Sequence, residues 1–361
     1  MNSTHLTRVG LIAASVFIGS GLLLSGTVSK GQGHSKFNRP GNILITDQFN
    51  NRVIEIDTSG NIVWQFGSGP GNITPSAIIG TNDAERVNDL TLMAGTGIPP
   101  APTTTTHCKK GCADNRVLLV DRRGNIVWQY GEFGVTGSGF NQLNTPVQNT
   151  YLPQSNGDDH VLITDQGNGR IIEVRRSDKA IVWEYDGLNN PNAAELLTNG
   201  NILISDENNN QALEVTHTTP STVVHTFTTA GGTPFSGVAF ASRLPNGHTL
   251  ITDSNNSRIV ETDVHGNLFW QYFTNNRPGS NPAPLPTRAV RLGNGDTLIS
   301  DQFNHQVIRV DMSLNSGMSG VIVASYGTIN NPGFNPSTAI EMNGPYSAYV
   351  IGDYTGITPP F

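Results

Sequence analysis

Charge is scarce in this chain: Asp, Glu, Lys and Arg make up 14% of its 361 residues, and the formal net charge is -7. A nucleic-acid surface shows itself as a basic patch, so the composition argues against that class of partner. Cysteine is scarcer still, with Cys108 and Cys112 the two present. Residues that favour long helices are thin beyond the first segment, while Gly (40) and Pro (21) abound, which argues against a helical bundle or solenoid. Disorder is no better an account, because 36% of the residues are apolar and recur throughout. The length suits one large all-β domain or two ordinary ones.

After the N-terminus no apolar run is long enough to cross a membrane. The first run, residues 11–24, has 14 residues, follows Arg8 and precedes the small residues Ser25, Gly26, Thr27 and Ser29. That layout predicts a signal peptide over residues 1–29, since a span wants roughly 20 residues. The alternative is an uncleaved anchor, the one case in which a membrane enters. No Cys follows the run to carry a lipid. The expected location is secreted or extracytoplasmic, in a periplasm or outside the cell. Export permits a disulfide between Cys108 and Cys112 across Lys109, Lys110 and Gly111, with two free thiols as the alternative. A metal pair with His107 lacks the second Cys/His pair that structural zinc wants.

What the chain has in quantity is a repeat. The segment GNILITDQFNNRVIEIDTSGNIVWQFG (41–67) returns as 160–186, 200–215, 247–273 and 295–311, and its second half as 115–131. The first Asp is Asp47, Asp165, Asp206, Asp253 or Asp301, and five residues on stands Arg52, Arg170, Gln211, Arg258 or Gln306. Trp64, Trp128, Trp183 and Trp270 hold one place in the outermost strand, with Phe227 and Tyr326 expected near it elsewhere. Short β-type runs separated by Gly/Asn/Asp turns, each set preceded by a run after Pro, give four strands in about 45 residues. Four-strand units of that period are the signature of propeller blades.

The expected fold is therefore all-β: a six-bladed β-propeller of four-stranded antiparallel blades, with seven left possible, in one domain over 37–361. In blade 2 the run 89–95 replaces the usual strand, Gly95 stands where Asp should be, and a loop at about 96–114 is inserted as an exposed excursion. The C-terminal runs 335–342 and 347–353 are expected to supply inner strands to blade 1 and close the ring. Closure by the chain ends removes an open sheet edge. The repeated Asp, Asn, Arg and Trp are read as structural, because catalysis needs one site rather than six.

The Asp, Asn-Asn-Arg, second Asp and Gly turn in ITDQFNNRVIEIDTSGNIVWQFG resemble the NHL-repeat family of β-propellers, over roughly residues 41–353 with 74–114 poorly matched. GNIVW is also similar to repeats of pyrroloquinoline-quinone propellers and of propeller-type arylsulfotransferases, without the eight blades of the quinone enzymes. These resemblances imply the fold and leave the function open, since such propellers include scaffolds, lyases and hydrolases.

Chemistry is sought where blades differ, at the starts of the inner strands around the central funnel. The candidates are Asp83, Glu85, Gln148, Asn149, Asn192, Ser236, Thr287, Arg288, Ser337 and Thr338. Arg288 with Arg291 offers planar forks to an anion, unless Arg288 pairs with a neighbouring blade. Asp83, Glu85, Asn149 and Asn192 offer oxygens to calcium, but neither a metal nor a cofactor is expected. No histidine stands at an inner-strand start, and no nucleophile elbow, phosphate loop or zinc-protease helix is present. The favoured function is a secreted, monomeric binding or scaffold module for a protein, glycan or small ligand. The alternative is a propeller enzyme (lyase, hydrolase or sulfotransferase-like) acting in the funnel.

Overall fold

The computed structural model describes residues 36–100, 107–314 and 319–359. The expected signal segment, residues 1–29, lies outside them. The propeller has six four-stranded antiparallel sheets, so the seven-blade alternative is excluded. The innermost strands, in blade order, are Pro345–Val350, Thr81–Val87, Pro146–Leu152, Pro191–Leu196, Val238–Arg243 and Pro286–Arg291. Blade 1 is closed by the C-terminal strand, which pairs with Ile43–Asp47 in the register Ile43↔Val350 and Ile45↔Ala348. The run 335–342 is a loop rather than the expected strand. The carbonyls of Asn335 and Glu341 are taken by the Arg52 guanidinium at 2.9 and 3.0 Å, so they cannot serve a ladder. Side chains of neighbouring blades interleave as separate apolar layers. The layer between blades 6 and 1 joins Leu298 and Val307 to Ile45 and Ile54, so the ring is closed by a core as well as by hydrogen bonds.

The repeated residues hold the blades. The Asp–Arg pair is buried at Asp47–Arg52 (2.8 Å), Asp165–Arg170 (2.8 Å) and Asp253–Arg258 (2.6 Å). Where Gln replaces Arg, other donors step in: Gln211 itself reaches Asp206 (2.9 Å), and Arg277 from the preceding loop reaches Asp301 (2.5 Å). Blade 2 shows how tight the position is. A Cβ on Gly95 would lie 2.5 Å from the Asp114 carboxyl, because Asp114, at the end of the insertion, fills the missing place and meets Arg116.

Each Trp donates its indole N–H to a carbonyl of the next blade: Trp64 to Arg122, Trp128 to Arg176, Trp183 to Thr218 and Trp270 to Ser319, at 3.0–3.2 Å. Strand register moves Phe227 and Tyr326 off that position. They pair opposite Ala212 and Val307, in line with Phe66, and His225 and Ala324 stand where Trp would be. A further device joins four pairs of neighbouring blades at the αL residue just before the third strand. The Oδ1 atoms of Asn51, Asn115 and Asn210 accept the N–H of Gly80, Thr145 and Gly237 in the following blade, and His305 Nδ1 accepts that of Gly344. Burial pushes the His305 pKa down to about 4, which keeps the ring neutral and able to accept.

Candidate functional site: the central channel and its mouth

Every inner strand breaks register near its start, at Asn82, Val147–Gln148, Asn192, Ala239, Thr287 and Tyr346–Ser347. Such bulges re-aim side chains, and here they turn the bulged residues into the channel. Four of these strands begin with Pro, which has no N–H to lose from the ladder.

Below the bulge layer the channel is closed by charge. Arg288 Nη1 meets Asp83 Oδ1 at 2.6 Å, its Nη2 lies 3.6 Å from Glu195 Oε1, and its guanidinium sits over Phe240 at 4.4 Å. Gln148 donates to Glu195 Oε1 (2.7 Å) and accepts from Ala194 N (2.7 Å). Glu85 accepts from Tyr151 N at 2.7 Å. Burial pushes the pKa values of Asp83 and Glu195 up against the pull of Arg288. Glu85 is pushed well above the usual carboxylate range by burial, with the charges of Asp83 and Glu195 adding to it. The far end is plugged by the C-terminal segment: Thr358 donates its N–H (2.8 Å) and hydroxyl (2.7 Å) to Glu195, and Ile357 packs on Ala193, Phe240 and Val290. The space left beside the acids is about 10 Å³, on the scale of a single water.

The structure thus brings Gln148, Asn149, Asn192, Thr287 and Arg288 to the channel. Ser236 is elsewhere: it sits in the turn before its strand, where its N–H donates to Asp253. Ser337 and Thr338 lie in the surface loop before the closing strand. Of the two readings of Arg288, an anion fork with Arg291 and an ion pair with another blade, the structure has an ion pair, with Asp83 of blade 2. Arg288 is committed to Asp83, while Arg291 points out between blades, over Trp270 and 3.0 Å from Glu261. Among the described residues no group of His, Cys, Asp and Glu is placed to hold a metal ion.

At the opposite end the channel opens into a mouth of about 660 Å³, within the usual range of small-ligand sites. Its floor is Asn82 and Tyr346, and the Tyr346 hydroxyl donates to Asn192 (3.0 Å). Its wall includes the residues that follow the repeat Asp, Gln48, Gln166 and Glu207, with Thr96 at the same place in blade 2. These residues escaped a search confined to inner-strand starts. Their signal was the repeat register itself: one residue past each first Asp stand Gln48, Gln166, Glu207, Ser254 and Gln302, all polar. The described parts of the insertion, 96–100 and 107–114, form the blade-2 side of the mouth and pack on the blades rather than standing clear of them. Ile98 and Cys108 are buried against Phe49 and Ile79, Ile98 pairs with Cys112, and Cys108 and Cys112 form a disulfide with Cα atoms 5.4 Å apart.

Among solved structures, one of a protein of unknown function from Bacteroides caccae is 15% identical, with 79% of this chain and 93% of that one covered and a TM-score of 0.50. Virginiamycin B lyase from Staphylococcus aureus is 14% identical, with 80% of each chain covered and a TM-score of 0.48. At such identities likeness is of fold alone. No curated protein matches. The family model described as outer membrane protein assembly factor BamB matches residues 113–313, and the chain belongs to that family of propeller repeats.

Proposed function

We propose that this protein is an extracytoplasmic binding module, an NHL-like propeller that takes its ligand in the mouth on the insertion side and carries out no reaction in the channel. The observation that carries this reading is the contrast between the two ends. The acids that could do general acid–base work face a water-sized space, plugged by Thr358 and Ile357. The open cavity holds carboxamides and one carboxylate, Glu207, already engaged by Asn190 and Asn192 at 2.9 Å. The BamB description, an assembly factor of the outer membrane, fits a non-catalytic role outside the cytoplasm.

The test is native mass spectrometry of the purified protein with neutral oligosaccharides, short peptides and small organic acids, followed by product analysis. A mouth-filling variant, Thr145→Trp, should abolish whatever binding is found, and every ligand should be recovered unchanged. Binding that survives Thr145→Trp in a folded protein, or conversion of a ligand, would refute the reading.

A further inference from the structure

The chemistry of the mouth narrows its ligand, and this step rests on the mouth being the binding surface. Charge there is nearly absent. Glu207 is satisfied by two amides and burial raises its pKa, so it is a poor partner for a cation. Lys110 at the rim is the cation among the described lining residues, which is too little for a polyanion.

Unspent hydrogen-bonding capacity is concentrated in carboxamides. Asn82 is 4% exposed and its Oδ1, at the floor, has no partner. A buried acceptor without a partner is unfavourable, so a group that donates to it is favoured there. The side chains of Asn144 and Gln166, on the blade-3 side, make no hydrogen bond among the described residues. Each carboxamide presents a donor beside an acceptor, the pattern that two neighbouring hydroxyls complement. The blade-2 side offers the exposed rings of Pro99 and Pro100 instead. A ligand suited to both sides is uncharged, with a rim of hydroxyls and a C–H face. A sugar ring has that division, and a peptide with charged or large apolar side chains does not.

We infer that the mouth binds a neutral carbohydrate, its hydroxyls meeting Asn82, Asn144 and Gln166 and a C–H face lying on Pro99 and Pro100.

The experiment is calorimetric titration of the full chain with maltotriose, cellotriose, mannotriose and chitotriose, beside trialanine and citrate. At least one trisaccharide should bind with a stoichiometry near one. Gln166→Ala and Asn144→Ala should each weaken it about tenfold, a 1.4 kcal/mol change, with the melting temperature unchanged. Absence of binding by all four sugars at millimolar concentration overturns the inference, as does sugar binding indifferent to both variants. Trialanine bound in their place, and weakened by Gln166→Ala, overturns the carbohydrate and leaves the binding module standing. A sugar that is bound and then cleaved leaves the carbohydrate standing and overturns the non-catalytic reading.

Discussion

The blade frame and the channel mouth are built from the same short repeat, yet they treat polar side chains in opposite ways. In the frame each recurring side chain ends on a partner the repeat supplies. Asp47 meets Arg52 and Asn50, Trp64 donates to Arg122, and Asn51 accepts from Gly80. At the mouth Asn82, Asn144 and Gln166 keep capacity in reserve. Position rather than identity separates the two: Gln48 and Gln302 stand at the register of Gln166 and bond each other at 2.7 Å, whereas the Gln166 side chain makes no hydrogen bond among the described residues. The channel acids belong with neither: they vary, but Arg288, Thr358 and backbone N–H groups use them up.

This contrast breaks first if frame substitutions prove mild. Trp270→Ala removes a side chain only 3% exposed and should cost about 3–5 kcal/mol in chemical denaturation. Arg52→Ala strands Asp47, in which both partners have no exposed surface, and should cost a similar 3–5 kcal/mol. In both variants the fraction that folds should bind at the mouth as the parent does. Lost binding at unchanged stability would make the frame residue part of the site.

The next effect depends on pH. The folded-state pKa of His305 is depressed to about 4 from 6.5, so its contribution is fully present above pH 6.5 and is lost as pH falls through 4. The whole contribution is on the order of 3 kcal/mol. His305→Asn keeps an acceptor for Gly344 in a residue that tolerates the local φ of +55°. Denaturation curves from pH 7 to 4 should show this variant losing less stability than the parent. Equal loss would mean that the latch does not depend on a neutral ring.

Smaller again is Asn51→Ala, which leaves the Gly80 N–H without an acceptor and should cost about 1–3 kcal/mol. At the low end, Gln166→Ala should change stability by no more than about 0.5 kcal/mol, because its side chain supports nothing. A large loss there would move Gln166 from the mouth into the frame.

Much of the frame could be read from the chain because its signals are local. The spacing from Asp47 to Arg52 spans one hairpin, and ladder pairing sets those two residues opposite each other. The repeats pointed to six blades and left a seventh open, because the C-terminal run 347–353 has no outer pair of its own until it is seen to close blade 1. The closing strand was misplaced in part because 335–342 follows a Pro and reads like other inner strands. Arg52 competes for its carbonyls, which no local pattern reveals. Phe227 and Tyr326 stand in line with Phe66, opposite Ala212 and Val307, two residues from the place opposite Glu214 and Arg309 that Trp64 takes opposite Glu55. At the site, Gln148, Asn192 and Thr287 were legible as inner-strand starts, whereas Ser236 was not separable from them. A bulge decides which residue turns inward, and its position depends on the neighbouring strand.

By itself, then, the sequence determined the blades and the role of the recurring Asp, Arg and Trp, since period-2 alternation and turn residues act over a few positions. The tertiary structure decided what faces the channel: that Arg288 is spent on Asp83, that Asp114 fills the gap left by Gly95, that the insertion walls a mouth, and that Thr358 closes the far end. Arg288 and Asp83 are separated by 205 residues of chain and Thr358 and Glu195 by 163, and only the closing of the ring brings them together.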